Sequence, residues 1–378
     1  MQDKIWLSPP HLSGNEIQFI EDAFQKNWVT SIGNNIDEFE FDLKKFLEDD
    51  VEVCALNSAT SAIHLALILL GITKGDEVLT STFSFIASAN PIVYCGAQPV
   101  FIDSESETWN MCPIVLEEAI INRLRKGKRP KAIIVVNLYG MPAKMDEILS
   151  VASKYEIPLI EDAAESLGAR YKGKACGTFG DFGILSFNGN KIITTSGGGA
   201  LICHSQETKN NAIFLSTQAR DEAPHYQHSN IGYNYRMSNI IAGIGRGQME
   251  VLNDRVEARR KMHDFYLELC KDIEGVDVFS EPSDDFYSNH WLSAITIDTS
   301  KTGKTSTDLR LAFLQDNIES RPLWKPLHMQ PIFSNSPYYG SKIAENLFEK
   351  GLCLPSGSNL TEKDKKRIAE VLKIFFSK

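Results

Sequence analysis

The sequence contains no closely spaced pair of cysteines. Its seven cysteines are scattered over 378 residues, at positions 54, 95, 112, 176, 203, 270 and 353. An odd number without a CxxC pair predicts neither a disulfide framework nor a cysteine-based zinc site. The HExxH pattern of zinc-binding helices is also missing, so we propose no metal ligands. Cysteine usage of this kind is typical of a reducing, cytoplasmic environment.

Long apolar runs and an excess of positive charge are lacking as well. No run approaches the roughly 20 apolar residues of a membrane helix, and residues 1–14 hold no signal-peptide core. With 39 Lys and Arg against 49 Asp and Glu, the formal net charge is −10. This sign argues against a general binder of nucleic acid or membrane surfaces. We therefore expect a soluble cytoplasmic protein in which an anionic ligand needs a local basic patch.

Short apolar runs alternate with longer segments of helical periodicity. The runs are residues 51–56, 77–80, 98–103, 131–138 and 158–160. This rhythm predicts an α/β fold with a doubly wound, mostly parallel sheet. A nicotinamide enzyme is one alternative for such a fold. However, no GxGxxG opens a helix after a strand, since the glycines at 197–199 precede a strand instead.

The length exceeds that of one ordinary core, so two domains are expected. We predict a large domain over residues 1–245 and a small α+β domain over residues 246–378. Helices are expected at residues 86–94, in the large domain, and at residues 239–263, where one long helix bridges the two domains.

Residues 159–200 hold the side chains with the clearest chemistry. Asp162 follows a short apolar run at the predicted C-terminal end of a buried strand, where open α/β sheets bind ligands. Asp162 there can hold a heteroaromatic nitrogen protonated, and Lys191 can bond covalently to an aldehyde. Together these are the protein's contributions to pyridoxal phosphate chemistry. Taken singly, Asp162 also fits a helix N-cap and Lys191 a surface lysine.

The segments EDAAES (161–166), SFNGNK (186–191) and SGGG (196–199) resemble the DegT/StrS-type sugar-nucleotide aminotransferases. These are fold type I pyridoxal phosphate enzymes, and the resemblance covers nearly the whole chain. It implies a large domain with a mostly parallel sheet of the seven-stranded type, and a small α+β C-terminal domain. In the family the Asp of ED-A-A binds the pyridine nitrogen and the Lys closing S-F-x-x-x-K carries the cofactor. These positions are Asp162 and Lys191.

The resemblance also implies the rest of the cofactor site. Phe85 would stack on the pyridine ring, and Glu165 would lie near the phenolic oxygen. Asn234 would reach across a dimer interface to the neighbour's cofactor phosphate. The phosphate itself would be held by the strand-to-helix turn at 58–60, which also fits an anion site on physical grounds. The residues assigned to the phosphate are Ser58, Ala59, Thr60, Ser186 and Asn188.

Two further segments are candidates for substrate binding. Trp28 lies in a predicted loop, which the family places at the mouth of the active site; a core tryptophan is the alternative. The stretch RPLWKPLH supplies Arg321, Trp324, Lys325 and His328, a basic and aromatic patch in an acidic chain. Its cations can neutralise a pyrophosphate. A surface strand with scattered cations is the alternative.

The resemblance is closest to the subgroup that aminates UDP-4-keto-6-deoxy-N-acetylglucosamine, on the pathway to bacillosamine-type sugars. We therefore expect a homodimer with shared active sites that transfers the amino group of L-glutamate to this sugar. A GDP- or dTDP-linked keto sugar is an alternative substrate. A dehydratase of the same family would carry His instead of Lys191. A non-catalytic regulator with the same fold is the remaining alternative.

Overall fold

The computed structural model describes residues 3–377. Its strands are β1 (Glu52–Leu56), β2 (Glu77–Ser81), β3 (Gln98–Ile102), β4 (Ala132–Val136), β5 (Leu159–Asp162), β6 (Arg170–Tyr171), β7 (Lys174–Ala175), β8 (Phe182–Ser186), β9 (Gly199–Cys203), β10 (Val276–Val278), β11 (Phe286–Tyr287), β12 (Ala294–Ile297), β13 (Arg321–Pro322), β14 (Tyr338–Tyr339) and β15 (Gly351–Cys353).

Helices precede, separate and follow these strands. They are α1 (Glu16–Gln25), α2 (Asn34–Leu47), α3 (Ala59–Leu69), α4 (Asn90–Tyr94), α5 (Pro113–Arg125), α6 (Met145–Lys154), α7 (Gln206–Ser216), α8 (Asn239–Met249), α9 (Leu252–Cys270), α10 (Thr299–Thr302), α11 (Ser306–Gln315), α12 (Ile343–Lys350) and α13 (Glu362–Phe376). Within residues 3–377, none of them combines the length and apolar character needed to cross a bilayer.

The main sheet has the order β1-β9-β8-β5-β4-β2-β3-β14. Neighbouring strands from β8 to β14 run parallel, while β9 is antiparallel to both of its neighbours. Strands β2, β4, β5 and β8 are buried along their whole length, because helices cover both faces of the sheet. The expected mostly parallel sheet is therefore confirmed. The sheet has eight strands where seven were expected, because β14, from the C-terminal part of the chain, is added at its edge.

Two expected helices differ from the structure. Residues 239–263 form two helices, α8 and α9, because Val251 leaves the helical region at φ −119° and ψ 10°. The break lets Leu252 and Val256 join the core beneath the sheet. Residues 86–94 form a 3₁₀ turn (Ile86–Ser88) and then α4, with Pro91 in the first turn of that helix. Proline fits a helix start and would disrupt a helix interior.

The last third of the chain has its own sheet and core. Strands β10, β12, β15 and β13 form an antiparallel sheet in that order. A separate apolar cluster joins this sheet to α9, α11 and α13. Ile5 also belongs to this cluster, since its backbone pairs with Asn317 and Glu319. The arrangement is α+β, as expected, and the boundary between residues 245 and 246 stays a prediction.

Asp103 fastens the C-terminal part of the chain to the main sheet. It follows β3 and is fully buried. Its Oδ2 accepts hydrogen bonds from the Tyr338 hydroxyl at 2.8 Å and from the backbone N–H groups of Ser341 and Ile343 at 3.0 and 2.9 Å. Its Oδ1 accepts one from Ala344 N–H at 3.0 Å. One carboxylate thus caps α12 and holds β14 against β3.

A cluster of His263, Glu281 and His290 lies in the same part of the fold, and its ligand atoms lie within 4.8 Å of one another. The two imidazoles stack in parallel, with centroids 3.7 Å apart, so their in-plane lone pairs do not converge on one point. Glu281 Oε1 accepts hydrogen bonds from Arg260 at 2.7 Å and interacts with His290 Nε2 at 3.0 Å. These contacts account for the cluster without a metal, and we propose none there.

Replacing Asp103 with Ala is expected to lower the free energy of unfolding by about 3–4 kcal/mol, because several buried donors lose their acceptor. Asp298→Ala is the matched control: Asp298 is partly exposed, and its carboxylate caps α10 by accepting a hydrogen bond from Ser300 N–H at 3.0 Å. Losing such a cap costs about 1 kcal/mol. Urea unfolding of both variants measures the difference. Equal losses would contradict the anchoring role of Asp103.

His263 makes stability depend on pH. Burial, and then the charge of His290, lower the pKa of His263 from its ordinary 6.5 to about 4. Between these values the unfolded chain binds a proton that the folded chain does not, so stability rises with pH. We expect His263→Gln, which keeps a donor for Phe279 O, to remove roughly 2 kcal/mol of the loss between pH 7 and 4.5. If the free energies of unfolding of variant and wild type fall in parallel as the pH is lowered, the loss of stability arises from Glu281, Asp264 or groups elsewhere.

Candidate active site

A cavity of about 270 Å³ opens where the C-terminal ends of β5 and β8 meet the N-terminus of α3; we call it the lysine cavity. Nine of the ten residues predicted to bind the cofactor line it. They are Ser58, Ala59, Thr60, Phe85, Asp162, Glu165, Ser186, Asn188 and Lys191. Residues up to 133 positions apart in the chain thus meet in one place, as the parallel sheet requires.

Asp162 is the last residue of β5 and its carboxylate is buried. Its Oδ2 accepts a hydrogen bond from Ser88 Oγ at 2.7 Å, and its Oδ1 accepts one from Ala164 N–H at 3.2 Å. No helix begins at residues 163–165, so Asp162 closes a turn and the helix N-cap alternative is wrong. Burial raises the pKa of Asp162, against the hydrogen bond from Ser88.

The neighbouring Glu161 points to the other face of β5, because side chains alternate along a strand. It is also fully buried. Its two oxygens accept hydrogen bonds from Asn137 Nδ2 at 2.8 Å and from Phe179 N–H at 2.9 Å. The acidic pair in the sequence therefore divides into one carboxylate in the lysine cavity and one that supports adjacent loops.

Lys191 lies in the loop between β8 and β9, and its side chain is only 12% exposed. Its Nζ is 3.5 Å from Glu165 Oε1 and 3.8 Å from the ring centroid of Trp291. The surface-lysine alternative is therefore wrong. The preceding carbonyl, Asn190 O, accepts hydrogen bonds from Trp291 Nε1 and Ser8 Oγ, both at 2.6 Å. These two bonds fix the backbone from which Lys191 projects.

Glu165 is held on two sides. Its Oε2 accepts a hydrogen bond from Tyr139 N–H at 2.7 Å, and its carbonyl oxygen accepts one from Asn289 Nδ2 at 3.0 Å. Burial raises the pKa of this carboxyl, while the charge of Lys191 opposes the shift. The Glu165 carboxylate and the Lys191 ammonium stabilise each other here because the site is shielded from water.

The N-terminus of α3 forms an anion site at the other end of the lysine cavity. Ser58 is the N-cap, and its Oγ accepts a hydrogen bond from Ser61 N–H at 3.0 Å. The N–H groups of Ala59 and Thr60 precede the first intrahelical bond and are available to a ligand. Gly199 lets β9 pass close by, since a Cβ there would lie 2.3 Å from Ala59 N.

The two phenylalanines after β2 have different surroundings. Phe83 is 2% exposed and belongs to the core, whereas Phe85 is 51% exposed and lines the lysine cavity. Sequence spacing alone did not separate them. The Phe85 ring also lies 5.4 Å from the ring of Trp324, which connects this cavity to a second one.

The second cavity, of about 450 Å³, is lined by Trp291 and Trp324, and we call it the tryptophan cavity. Arg321 and Lys325, two of the predicted substrate-side residues, also line it, and their role in substrate binding stays a prediction. Arg321 is paired with Glu319, with Nη2 and Oε1 2.7 Å apart. Trp324 Nε1 is buried without a hydrogen-bond partner in the part of the chain that the structure describes.

Three predicted residues line neither cavity. His328 Nδ1 lies 2.6 Å from Thr82 Oγ1, and its ring stacks on Tyr338 at 3.8 Å. The Trp28 side chain is 47% exposed, so the core alternative for it is wrong. Asn234 lies beside the lysine cavity, where its carbonyl accepts a hydrogen bond from Asn57 Nδ2 at 3.1 Å. The functional roles of all three stay predictions.

Sequence reasoning missed Ser88, Tyr139 and Trp291. Ser88 orients Asp162, and Ser84 Oγ lies 2.8 Å from Ser88 Oγ. Two hydroxyls four residues apart just after a strand were the available signal. Tyr139 and Trp291 contact the site from 52 positions before and 100 positions after Lys191, and no local pattern links them to it.

Known proteins are similar to this chain over nearly their full lengths. The putative pyridoxal phosphate-dependent aminotransferase EpsN of Bacillus subtilis is 50% identical over 376 residues, covering 98% of this chain and 96% of EpsN. GDP-perosamine synthase of Escherichia coli O157:H7 is 37% identical, covering 97% of each chain. The crystal structure of a DegT DnrJ EryC1 StrS aminotransferase from Brucella abortus superposes with a TM-score of 0.89 at 29% identity, covering 97% of this chain and 96% of that one.

These similarities confirm the expected fold, enzyme class and pyridoxal phosphate cofactor at the level of the family. They do not confirm the narrower UDP-sugar subgroup, since a GDP-perosamine synthase is among the relatives. The family model matches residues 10–373, which is nearly the whole chain. The chain belongs to the DegT/DnrJ/EryC1/StrS aminotransferase family.

Proposed function

We propose that the protein transfers the amino group of L-glutamate to C4 of a UDP-linked 4-keto-6-deoxy-N-acetylhexosamine. The product would be UDP-4-amino-4,6-dideoxy-N-acetylglucosamine, for bacterial glycan or glycoprotein synthesis. The observation that carries the proposal is the position of Lys191, whose Nζ lies in the lysine cavity and against Trp291, a wall of the tryptophan cavity. One lysine thus serves both a cofactor cavity and a substrate cavity.

The lysine cavity fits pyridoxal phosphate in each of its parts. Asp162 is a buried carboxylate for the pyridine nitrogen, and the N-terminus of α3 is a site for the phosphate. Phe85 offers a flat face to the ring, and Glu165 an acceptor near the phenolic oxygen. Lys191 is the amine that would bind the aldehyde. When bound, the cofactor supplies an electron sink for the carbon that loses a proton.

Lys191 is placed to move that proton. Its Nζ has Glu165 on one side and the Trp291 ring on the other, so its position is fixed while the amine stays free to act. Proton transfer by a positioned amine contributes about 10²–10⁴-fold to rate. Asp162 keeps the pyridine nitrogen protonated, and Ser88 holds the Asp162 carboxylate in place.

The tryptophan cavity supplies the features that a nucleotide sugar needs. Lys325 and Arg321 place positive charge there, which suits a diphosphate. Trp324 contributes a flat surface and an indole N–H that has no partner within residues 3–377. The indole nitrogen itself is buried, so the proposal rests on the flat surface of the ring and on the two cations.

Homodimerisation is part of the proposal. Trp28, Val29 and Ile32 are exposed in one loop, and an exposed apolar patch favours a protein partner. A second copy of the chain, reached by Trp28 and Asn234, would complete the site. A cytoplasmic location belongs to the proposal as well, and all seven cysteines are free thiols.

One observation favours a second candidate substrate. A relative that is 37% identical over 97% of the chain is named GDP-perosamine synthase. A GDP-linked keto sugar therefore stands beside the UDP-linked one. The diphosphate is common to both, so the cations of the tryptophan cavity suit either.

The test follows the visible absorbance of the protein with bound pyridoxal phosphate. L-glutamate is expected to remove the band, and UDP-4-keto-6-deoxy-N-acetylglucosamine to restore it. Lys191→Ala should respond to glutamate at less than about one hundredth of the wild-type rate. Recovery only with a GDP-linked keto sugar would replace the proposed substrate by the alternative. A wild-type protein without any visible band would overturn the enzyme proposal.

Asp162→Asn is expected to slow the reaction with glutamate by about 10²–10⁴-fold, because the amide cannot hold a proton on the pyridine nitrogen. Glu161→Gln is the matched control, since Glu161 is equally buried on the same strand but faces away from the cavity. It should lower the thermal midpoint and change the rate less than about threefold. Stopped-flow absorbance measures both variants. Similar rate losses would argue against the role of Asp162.

A further inference from the structure

Tyr139 has an unusual backbone conformation beside the active site. It lies in the turn Leu138–Gly140 after β4, with φ 54° and ψ 17°. A bulky residue rarely adopts this left-handed region. The residue is only 1% exposed, although it lies in a turn. Strained residues of this kind persist where the surroundings fix them, and they cluster at functional sites.

The contacts of Tyr139 connect the two cavities. Its backbone N–H donates to Glu165 Oε2 at 2.7 Å, next to Lys191. Its hydroxyl accepts a hydrogen bond from the backbone N–H of Trp324 at 2.8 Å. The rings of Tyr139 and Trp324 also stack, with centroids 6.1 Å apart and an angle of 27°. The backbone of Tyr139 thus contacts the lysine cavity through Glu165, and its side chain contacts the tryptophan cavity through Trp324.

The turn that carries Tyr139 has no room to relax. Gly140 has φ +96°, and a Cβ there would lie 1.9 Å from Asn289 Oδ1. Asn289 in turn donates to Glu165 O at 3.0 Å and accepts from Trp291 N–H at 2.8 Å. The turn is therefore packed against the segment that brings Trp291 over Lys191. Because the turn is fixed, it holds the walls of the two cavities in a constant position relative to each other.

We propose that Tyr139 is a positioning residue for the amino-acceptor half of the reaction. Its hydroxyl fixes the backbone of Trp324, and with it the wall that Trp324 and Lys325 present to the keto-sugar nucleotide. This inference rests on the proposed function. On the donor side, Tyr139 contributes its backbone N–H to Glu165 and its ring to the packing of Trp291, and neither contact involves the hydroxyl.

Tyr139→Phe separates the two roles, because it removes the hydroxyl and keeps the ring and the backbone N–H. The KM for the keto-sugar nucleotide is expected to rise about tenfold, since the backbone N–H of Trp324 loses its acceptor. The visible absorbance of the bound cofactor and the rate of the reaction with L-glutamate should stay within about twofold of wild type. Stopped-flow measurement of each half-reaction, started from the appropriate cofactor form, gives both numbers.

Tyr266→Phe is the matched control. Tyr266 is also fully buried, and its hydroxyl donates to Pro355 O at 2.7 Å in the core of the C-terminal part. It should lower the thermal midpoint without separating the half-reactions. If Tyr139→Phe slows both half-reactions equally, or slows neither, the positioning role is wrong. A wild-type protein that reacts with glutamate but with no nucleotide keto sugar would instead refute the proposed function.

A double variant tests whether Tyr139 acts through Trp324. Trp324→Phe alone is expected to raise the same KM. If the hydroxyl acts by placing the indole, Tyr139→Phe combined with Trp324→Phe should raise KM by clearly less than the product of the two single effects. Multiplicative effects would show that the hydroxyl acts independently of the Trp324 indole and would overturn this part of the proposal, because Trp324→Phe keeps the backbone N–H that donates to the hydroxyl.

Discussion

A single buried guanidinium holds the parts of the active site together. Arg259 in α9 is fully buried, and it donates to Trp291 O at 2.5 Å, to Ser356 O at 3.1 Å and to Ser8 Oγ at 2.9 Å. Burial, and then the charge of Arg255, lower the pKa of Arg259 to about 9. Its partners come from the N-terminal segment and two parts of the C-terminal region. Removing a charged group from water costs free energy, so each of these three hydrogen bonds is needed to stabilise the buried Arg259 side chain. Two of these partner residues, Ser8 and Trp291, also donate to Asn190 O, immediately before Lys191.

The position of Lys191 follows from that constraint and from the strand alternation of β5. The Asp162 and Glu165 carboxyls both line the lysine cavity and are buried, and burial raises the pKa of each. Two buried carboxyls in one cavity need compensating partners, and the structure supplies different ones. Asp162 has the Ser88 hydroxyl, while Glu165 has the Lys191 ammonium and the Tyr139 N–H. The different partners suit different tasks, because hydrogen bonds and charges tune carboxyls separately.

The sequence was most informative where function depends on short local segments. Asp162, Glu165 and Lys191 lie within 30 positions of one another, and strand, turn and loop bring them together as the motifs suggested. Trp291 was missed because its contact with Lys191 depends on α9 and Arg259, which no pattern near residue 191 encodes. The break between α8 and α9 was missed because the helical periodicity of the sequence continues through it. The tertiary packing of Leu252 in the core determines where the first helix ends and the second begins. The expected cross-subunit role of Asn234 depends on a second chain and stays a prediction.

The positive charge that lines the tryptophan cavity comes from Arg321 and Lys325. Arg321 already has Glu319 as a partner, and Glu319 Oε2 also accepts a hydrogen bond from Leu7 N–H at 3.2 Å. Glu319 therefore orients the guanidinium before a ligand arrives and weakens its net attraction. Under the proposed function, an entering diphosphate would have to compete with Glu319 for Arg321, whereas Lys325 has no such partner among the ion pairs of residues 3–377. Because exposed ion pairs are weak, a diphosphate with one negative charge on each phosphate could displace Glu319 at little cost. We therefore expect the shape that Trp324 and Tyr139 impose on the cavity wall to contribute more to substrate selection than charge does.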